Sequence, residues 1–344
     1  MDEMEKENGE VQAQSSTASY SHGPNPPETE PATITAVLAK PRQAVIDFLR
    51  KHTTYDMIPD SAKVVVIDTD LLAKNAFMAL VEHDMTSAVL WDSRLQDYVG
   101  MLTVSDIVDM LRYFYKLASG TSHSISESLE KHSIREWRDL FRTSERPPNF
   151  ISVDPEESIY EACRRMRQHR IHRLPILEKT NHNVVLHIIT YSRVLGFLVR
   201  NLRGFPEILE CTIFDLRMGT FANVCTATRD TPLNTVLNLL AEQRVSAIPI
   251  VDEHGVVIDV YSRSDVTHLA RERLYNNLDI TVNQALHHHH KTLNVLQLCR
   301  KTDTLKTVLE RLAIANVHRL ICVDSRRRVE GIVSASDILA HFIL

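Results

Sequence analysis

The chain repeats itself four times, and every copy closes on a hydroxyl-rich tripeptide followed by a polar residue that opens a helix. The first half of the unit runs from Asp68 to Asp92, Asp154 to Glu178, Thr228 to Asp252 and Arg300 to Asp324, four equal spans that align without a gap. Inside each span the apolar residues recur at one helical period: Ala73, Ala76, Phe77, Leu80; Ile159, Ala162, Cys163, Met166; Leu233, Val236, Leu237, Leu240; Leu305, Val308, Leu309, Leu312. Spacing of this kind predicts an amphipathic helix. Short apolar strands follow at Ala88–Trp91, Leu174–Leu177, Ile248–Val251 and Leu320–Val323, then a charged turn and a second strand. The unit reads strand, helix, strand, strand, helix. One such unit leaves an apolar face that it cannot bury alone, so copies must stack, and four copies suggest two pairs.

The second strands end in Thr103-Val104-Ser105-Asp106, Thr190-Tyr191-Ser192-Arg193, Ser262-Arg263-Ser264-Asp265 and Ser334-Ala335-Ser336-Asp337. Two readings of the terminal Asp stand side by side. Its paired acceptor oxygens suit the two neighbouring hydroxyls of a ribose. A Ser or Asp before an apolar helix also caps that helix without any ligand. A second constellation lies at the helix-to-strand junction, where the copies carry Thr86, His172, Ser246 and His318, followed by Ser87, Arg173, Ala247 and Arg319. The matched pairs His172-Arg173 and His318-Arg319 combine a fixed fork of donors suited to phosphate with an imidazole that strengthens on protonation. The alternative is a solvated rim or a salt bridge to an acid of a neighbouring repeat.

Composition narrows the classes. The 344 residues, 44% hydrophobic, supply enough material for two compact modules, and a net charge of −5 gives no general attraction to nucleic acid or to an anionic membrane. No apolar run is long enough to span a bilayer. Residues 1–30 are acidic and rich in Ser, Thr and Pro with no apolar stretch, so a disordered extension is expected over 1–37 rather than a secretory signal. The five cysteines include no Cys-x-x-Cys pair, which fits reduced thiols in a cytosolic protein. With nine glycines and no phosphate-cradling glycine loop, P-loop and Rossmann chemistry is excluded. Short connector helices are expected at Ala44–Arg50, Ile134–Phe141 and Glu207–Leu216, with a break at Pro147 and Pro148. The run His287–His290 lacks acidic or Cys partners and reads as a solvated loop rather than a metal site; Trp91 and Trp137 read as packing residues.

Several segments carry a family resemblance: Leu90-Trp91-Asp92-Ser93, Val99-Gly100-Met101-Leu102-Thr103, Ile171-His172-Arg173-Leu174-Pro175, Gly219-Thr220-Phe221-Ala222-Asn223, Arg244-Val245-Ser246-Ala247, Val317-His318-Arg319-Leu320, and the linker Tyr275-Asn276-Asn277-Leu278-Asp279. From about residue 40 onward the chain resembles the gamma regulatory subunits of AMP-activated protein kinase, built from cystathionine-beta-synthase (CBS) domains. The resemblance implies a mixed α/β fold of four CBS repeats, at 43–118, 134–203, 207–275 and 284–344, in two tandem pairs that form a flattened disc. It implies a non-catalytic role in cytoplasm and nucleus: binding AMP, ADP or ATP as regulatory ligands, with no required cofactor, in a heterotrimer with a catalytic alpha subunit and a scaffolding beta subunit. A strand of the beta subunit would add near Ala62–Ile67.

By the same resemblance nucleotide contacts fall to Met101, Thr103, Asp106, His172, Arg173, Thr220, Val245, Ser246, Ser262, Arg263, Asp265, His318, Arg319, Ser334, Ser336 and Asp337. Arg193 replaces the acid in the second repeat, so that site should be empty. The chain departs from the family at Thr86, Ser192 and His289, where cations are usual, and at Val89, where Pro is usual. Loss of phosphate-facing cations implies a weakened AMP response. A nucleotide-insensitive scaffold subunit is the alternative. An enzyme such as a nucleotide hydrolase is disfavoured, because no acidic cluster at metal-ligand spacing and no nucleophile-base motif occurs.

Overall fold

The computed structural model describes residues 31–118, 124–140, 150–178, 180, 184–201, 206–271, 274–287 and 296–343. Two compact units divide the chain, 1–40 and 41–344, and all four repeats belong to the second. After helix α1 (Pro31–Lys51), the first repeat consists of β1 (Val66–Asp68), α2 (Ala73–Glu82), β2 (Ser87–Asp92), β3 (Asp97–Thr103) and α3 (Val104–Ala118), followed by linker helices α4 (Ile125–Lys131) and α5 (Ile134–Leu140). The second has α6 (Ile159–Gln168), β4 (Arg173–Glu178), β5 (Val184–Thr190) and α7 (Tyr191–Asn201), then the short α8 (Pro206–Leu209). The third has β6 (Ala227–Thr228), α9 (Leu233–Glu242), β7 (Ala247–Val251), β8 (Val257–Ser262), a 3₁₀ turn at Arg263–Asp265 and α10 (Val266–Arg271), with α11 (Val282–His287) beyond it. The fourth has β9 (Leu298–Cys299), α12 (Leu305–Ile314), β10 (Arg319–Val323), β11 (Val329–Ser334) and α13 (Ala335–Ile343).

In repeats one, three and four the first strand pairs parallel with the central strand, which pairs antiparallel with the third. The second repeat keeps only a single bridge, Val153 to Ile176, where its first strand was expected. Two connectors also differ from expectation. α8 stops at Leu209: Thr212 bridges to Thr304 and the Ile213 N–H donates to the Asp303 carbonyl at 3.1 Å, which breaks the helix, and a single separate turn follows in which the Leu216 N–H donates to the Thr212 carbonyl at 3.1 Å. α5 ends at Leu140, with Phe141, Pro147 and Pro148 outside the described residues. The Ala44–Arg50 helix falls inside α1.

Each first helix ends on one residue with left-handed backbone: Asp84 (φ 55), Arg170 (φ 53), Arg244 (φ 52) and Asn316 (φ 51). The next N–H reaches back to close the helix, Met85 to Leu80, Ile171 to Met166 and Val317 to Leu312, at 2.8, 2.8 and 3.2 Å. This turn aims the following residues, the site positions, into the start of the central strand.

The apolar stripes are buried across repeats. α2 packs on α10 and α3 on α9, joining repeats one and three in one core; α6 and α7 pack on α13, and α7 on α12, joining two and four. Leu233, Val236, Leu237 and Leu240 of α9 are all fully buried, each contributing about 1.5–3 kcal/mol. Sheets contribute to the tandem contacts: Val257 of β8 clusters with Ile321 and Val323 of β10, and Tyr98 of β3 meets Phe150, which lies ahead of α6 in the second repeat, at 5.7 Å. Trp137 is buried and Trp91 stacks edge-on to Tyr98, both in packing roles.

At Gly331 of β11, an added Cβ would lie 2.5 Å from the Phe221 ring and 2.8 Å from the Thr220 carbonyl. Gly331→Ala is therefore expected to lower stability by about 1–3 kcal/mol, read by denaturant unfolding. Arg170→Gly, which relieves left-handed backbone on a non-glycine residue, should raise it by up to about 1 kcal/mol in the same assay.

Candidate functional site

Strand register assembles each corner. Ser87 lies opposite Thr103, Arg173 opposite Thr190, Ala247 opposite Ser262 and Arg319 opposite Ser334, so the residue that opens each central strand faces the hydroxyl that ends the hairpin. At three corners the Asp holds this hydroxyl residue. Asp106 Oδ2 accepts from Thr103 N and Oγ1 at 2.8 and 2.7 Å, Asp265 Oδ2 from Ser262 N and Oγ at 2.6 and 2.9 Å, and Asp337 Oδ2 from Ser334 N and Oγ at 2.9 and 2.7 Å. The capping reading is thus realised, and the cap itself locks the carboxylate in place. Ser264 and Ser336 bond to Ser262 and Ser334 at 2.7 and 2.8 Å. Ser264 was absent from the expected contacts, although its match to Ser336 in the repeated tetrapeptide is the signal that finds it.

In the second repeat no acid stands at this corner, and Thr190 Oγ1 accepts instead from the Arg193 N–H at 3.3 Å. Behind it on β5, His187 is 4% exposed, with neither ring nitrogen hydrogen-bonded. Burial, reinforced by Arg193, pulls its pKa down to about 4.

Cations of one repeat face acids of another. Asp106 of the first repeat favours the charge on Arg173 of the second and on Arg263 of the third. Asp265 of the third does the same for Arg319 of the fourth, and Asp337 of the fourth for His172 of the second. Burial is nevertheless the larger influence on all four, and lowers each pKa, Arg319 to about 10. Burial and the neighbouring Arg319, Arg173 and His172 together bring His318 down to about 4. Both site histidines are therefore neutral at pH 7, and positive charge rests on the arginines.

Hydrogen bonds divide the arginines into two kinds. Arg173 Nη2 donates to Thr86 Oγ1 at 2.7 Å. Arg263 Nε donates to the Val245 carbonyl at 2.9 Å and its Nη2 to the Leu240 carbonyl at 2.5 Å, tying the guanidinium to the C-terminal end of α9. Arg319 Nε is buried without a partner. Ser192 Oγ bonds to His318 Nδ1, so the two hydroxyls that stand where cations were expected, Thr86 and Ser192, each touch a neighbouring side chain of the centre.

The remaining expected contacts lie on the same framework. Met101 sits on β3 opposite Val89. Val245 and Ser246 turn carbonyls toward the third-repeat corner, Ser246 accepting from the Arg263 N–H at 3.0 Å. Thr220 exchanges backbone hydrogen bonds with Ile332, two residues before Ser334. His287 ends α11 in an exposed position, while His288, His289 and His290 fall outside the described residues. Among the described residues no group of three or more His, Cys, Asp or Glu is placed to hold a metal.

The CBS domain family profile matches residues 138–200, 215–272 and 296–343. The gamma subunit of 5'-AMP-activated protein kinase from Dictyostelium discoideum is 42% identical over 310 residues, 88% of this chain and 53% of that protein. The gamma-3 subunits of Bos taurus and Homo sapiens are each 39% identical over 89% of this chain, and over 61% and 62% of their own lengths. The chain thus spans a little over half the length of the curated relatives it matches. A crystal structure from Methanocaldococcus jannaschii, proposed as an archaeal homologue of g-AMPK, shares the fold with a TM-score of 0.66 at 17% identity, covering 85% of this chain and 100% of that one. Matched segments, hairpin corners and tandem sheets make this a CBS-repeat protein. Over most of its length it is similar to the gamma subunits of AMP-activated protein kinase.

His187 gives the fold a defined acid limit. In the unfolded chain its pKa returns to about 6.5, so its contribution is complete above pH 6.5 and is lost as pH falls toward 4, on the order of 3 kcal/mol. His187→Leu is expected to flatten stability against pH across that window, measured by chemical denaturation at stepped pH.

Proposed function

We propose that this chain is a non-catalytic regulatory subunit of a protein kinase, binding adenine nucleotides through its CBS repeats and coupling cellular energy state to its catalytic partner. The observation that carries the reading is the crossed arrangement of charge. A carboxylate held at a hydroxyl corner of one repeat suits a ribose, and an arginine from another repeat stands by for phosphate. AMP, ADP and ATP all present these two groups. The repeats would act over 43–118, 134–203, 207–275 and 284–344, with contacts from Met101, Thr103, Thr220, Ser246, Ser334 and Ser336 around the charged groups.

The relatives are named as gamma subunits of a kinase, which supports a heterotrimer with alpha and beta subunits. β1 is an edge strand with an exposed Val66, a suitable place for a partner strand to add. Free cysteines among the described residues accord with a cytoplasmic and nuclear setting.

The response to AMP is weakened in this reading. Thr86 and Ser192 contribute no charge, and they satisfy Arg173 and His318 without a ligand. Those same two bonds favour a second reading, a constitutive scaffold subunit insensitive to nucleotide.

Calorimetric titration of the purified heterotrimer with AMP and ATP separates the two, comparing the native chain with Thr86→Arg plus Ser192→Lys. Weak binding that tightens about tenfold or more in the double variant is the expected result for a muted sensor. No heat in either protein leaves the scaffold.

A further inference from the structure

We propose that Cys299 and Cys322 form a reversible modification site, a dithiol that a hydroperoxide converts to a disulfide, fastening the first strand of the fourth repeat to its central strand. The inference goes beyond the nucleotide-binding reading and does not depend on it.

Register brings the two thiols together. β9 pairs parallel with β10, and Cys299 lies directly opposite Cys322 in that ladder. Neighbouring strands run about 4.8 Å apart, within the Cα separation of roughly 4.4–6.8 Å that a disulfide spans. Alternation along the strands gives Leu298 and Ile321 to the face that packs against repeat three, and puts both thiols on the other. Cys299 is 1% and Cys322 0% exposed, and the two share a hydrogen bond.

That bond makes the pair unequal. The Cys299 thiol donates to Cys322, which holds the Cys322 pKa below its ordinary value in spite of burial. The same bond, with burial, pushes Cys299 up. Cys163, buried on α6, is pushed up to about 12 by burial. Cys322 is therefore the attacking sulfur and Cys299 the resolving one. β9 is a two-residue edge strand held by two register pairs, so it detaches by local opening at lower cost than unfolding the repeat, and that opening admits a small oxidant.

The Cys322 thiolate attacks one oxygen of hydrogen peroxide; the S–O bond forms, the O–O bond breaks, and the leaving hydroxide takes up a proton to become water. The Cys299 sulfur then attacks the sulfenic sulfur of Cys322. The S–S bond forms, the S–O bond breaks, and the hydroxyl departs as water with the Cys299 proton. The sulfurs together lose two electrons, which the peroxide gains. Side chains that leave parallel strands side by side keep their Cβ atoms near the strand spacing, beyond the mean of about 3.8 Å in a relaxed bridge. The disulfide is thus strained, and thiol–disulfide exchange returns it readily to thiols.

The test treats the full chain in its kinase complex, kept folded, with hydrogen peroxide, then alkylates in denaturant and maps tryptic peptides by mass spectrometry without reductant. The expected result is a linked Cys299–Cys322 peptide that untreated protein lacks and that dithiothreitol removes, with Cys163 recovered as an alkylated thiol. Cys322→Val, an apolar residue of similar size, should abolish the link, and thermal melting shows whether this variant stays folded; the native chain decides the matter if it does not. Recovery of both cysteines as thiols at every peroxide dose that leaves the complex folded overturns the inference. So does a link that forms only in denaturant, a link from Cys322 to another cysteine, or Cys322 recovered as sulfinic acid with no link.

Discussion

Burial of helix faces across repeats is the constraint on which the rest of the architecture depends. A single repeat exposes the stripe that its own sheet cannot cover, and the chain resolves this by joining repeat one to three and two to four through helices, while sheets join neighbours in sequence. Helix contacts and sheet contacts thus join each repeat to different neighbours. The open ends of the central strands are thereby drawn together, and His172, Arg173, His318 and Arg319 become mutual neighbours although they come from distant parts of the chain.

This convergence explains the electrostatics. Like charges brought together in a partly desolvated space depress one another's pKa, and the histidines respond by staying neutral. The arginines cannot give up their protons at neutral pH, and two of them find acceptors, a threonine hydroxyl for Arg173 and carbonyls for Arg263, while Arg319 Nε is left without one. Acids of the opposing repeats moderate what remains.

Much of this was legible in the sequence because the repeat is regular. The apolar period located α2, α6, α9 and α12 to within a residue or two, and the tetrapeptides located the capped corners, since both patterns are local. What could not be read was set by contacts between distant segments. The Glu207–Leu216 helix is interrupted by Thr304 and Asp303, nearly a hundred positions away. The single bridge at Val153 replaces an expected strand, and His187, whose significance is its burial, carries no sequence signature at all. Arg173, Arg263 and Arg319 all stood among the expected nucleotide contacts. Only their hydrogen-bond partners distinguish Arg263, fastened to a helix end, from Arg319, with a donor left over.

The crossed helix contacts also bear on how such a chain can be divided. A fragment holding only the first two repeats would bare the faces of α2 and α3 that α10 and α9 normally cover, and one holding the last two would bare the complementary faces. Neither half is a natural module, despite the tandem order of the repeats. Each would be left with adhesive surfaces, drawn to its missing counterpart or to another copy of itself, so recombination or truncation between repeats two and three yields association-prone pieces rather than independent domains.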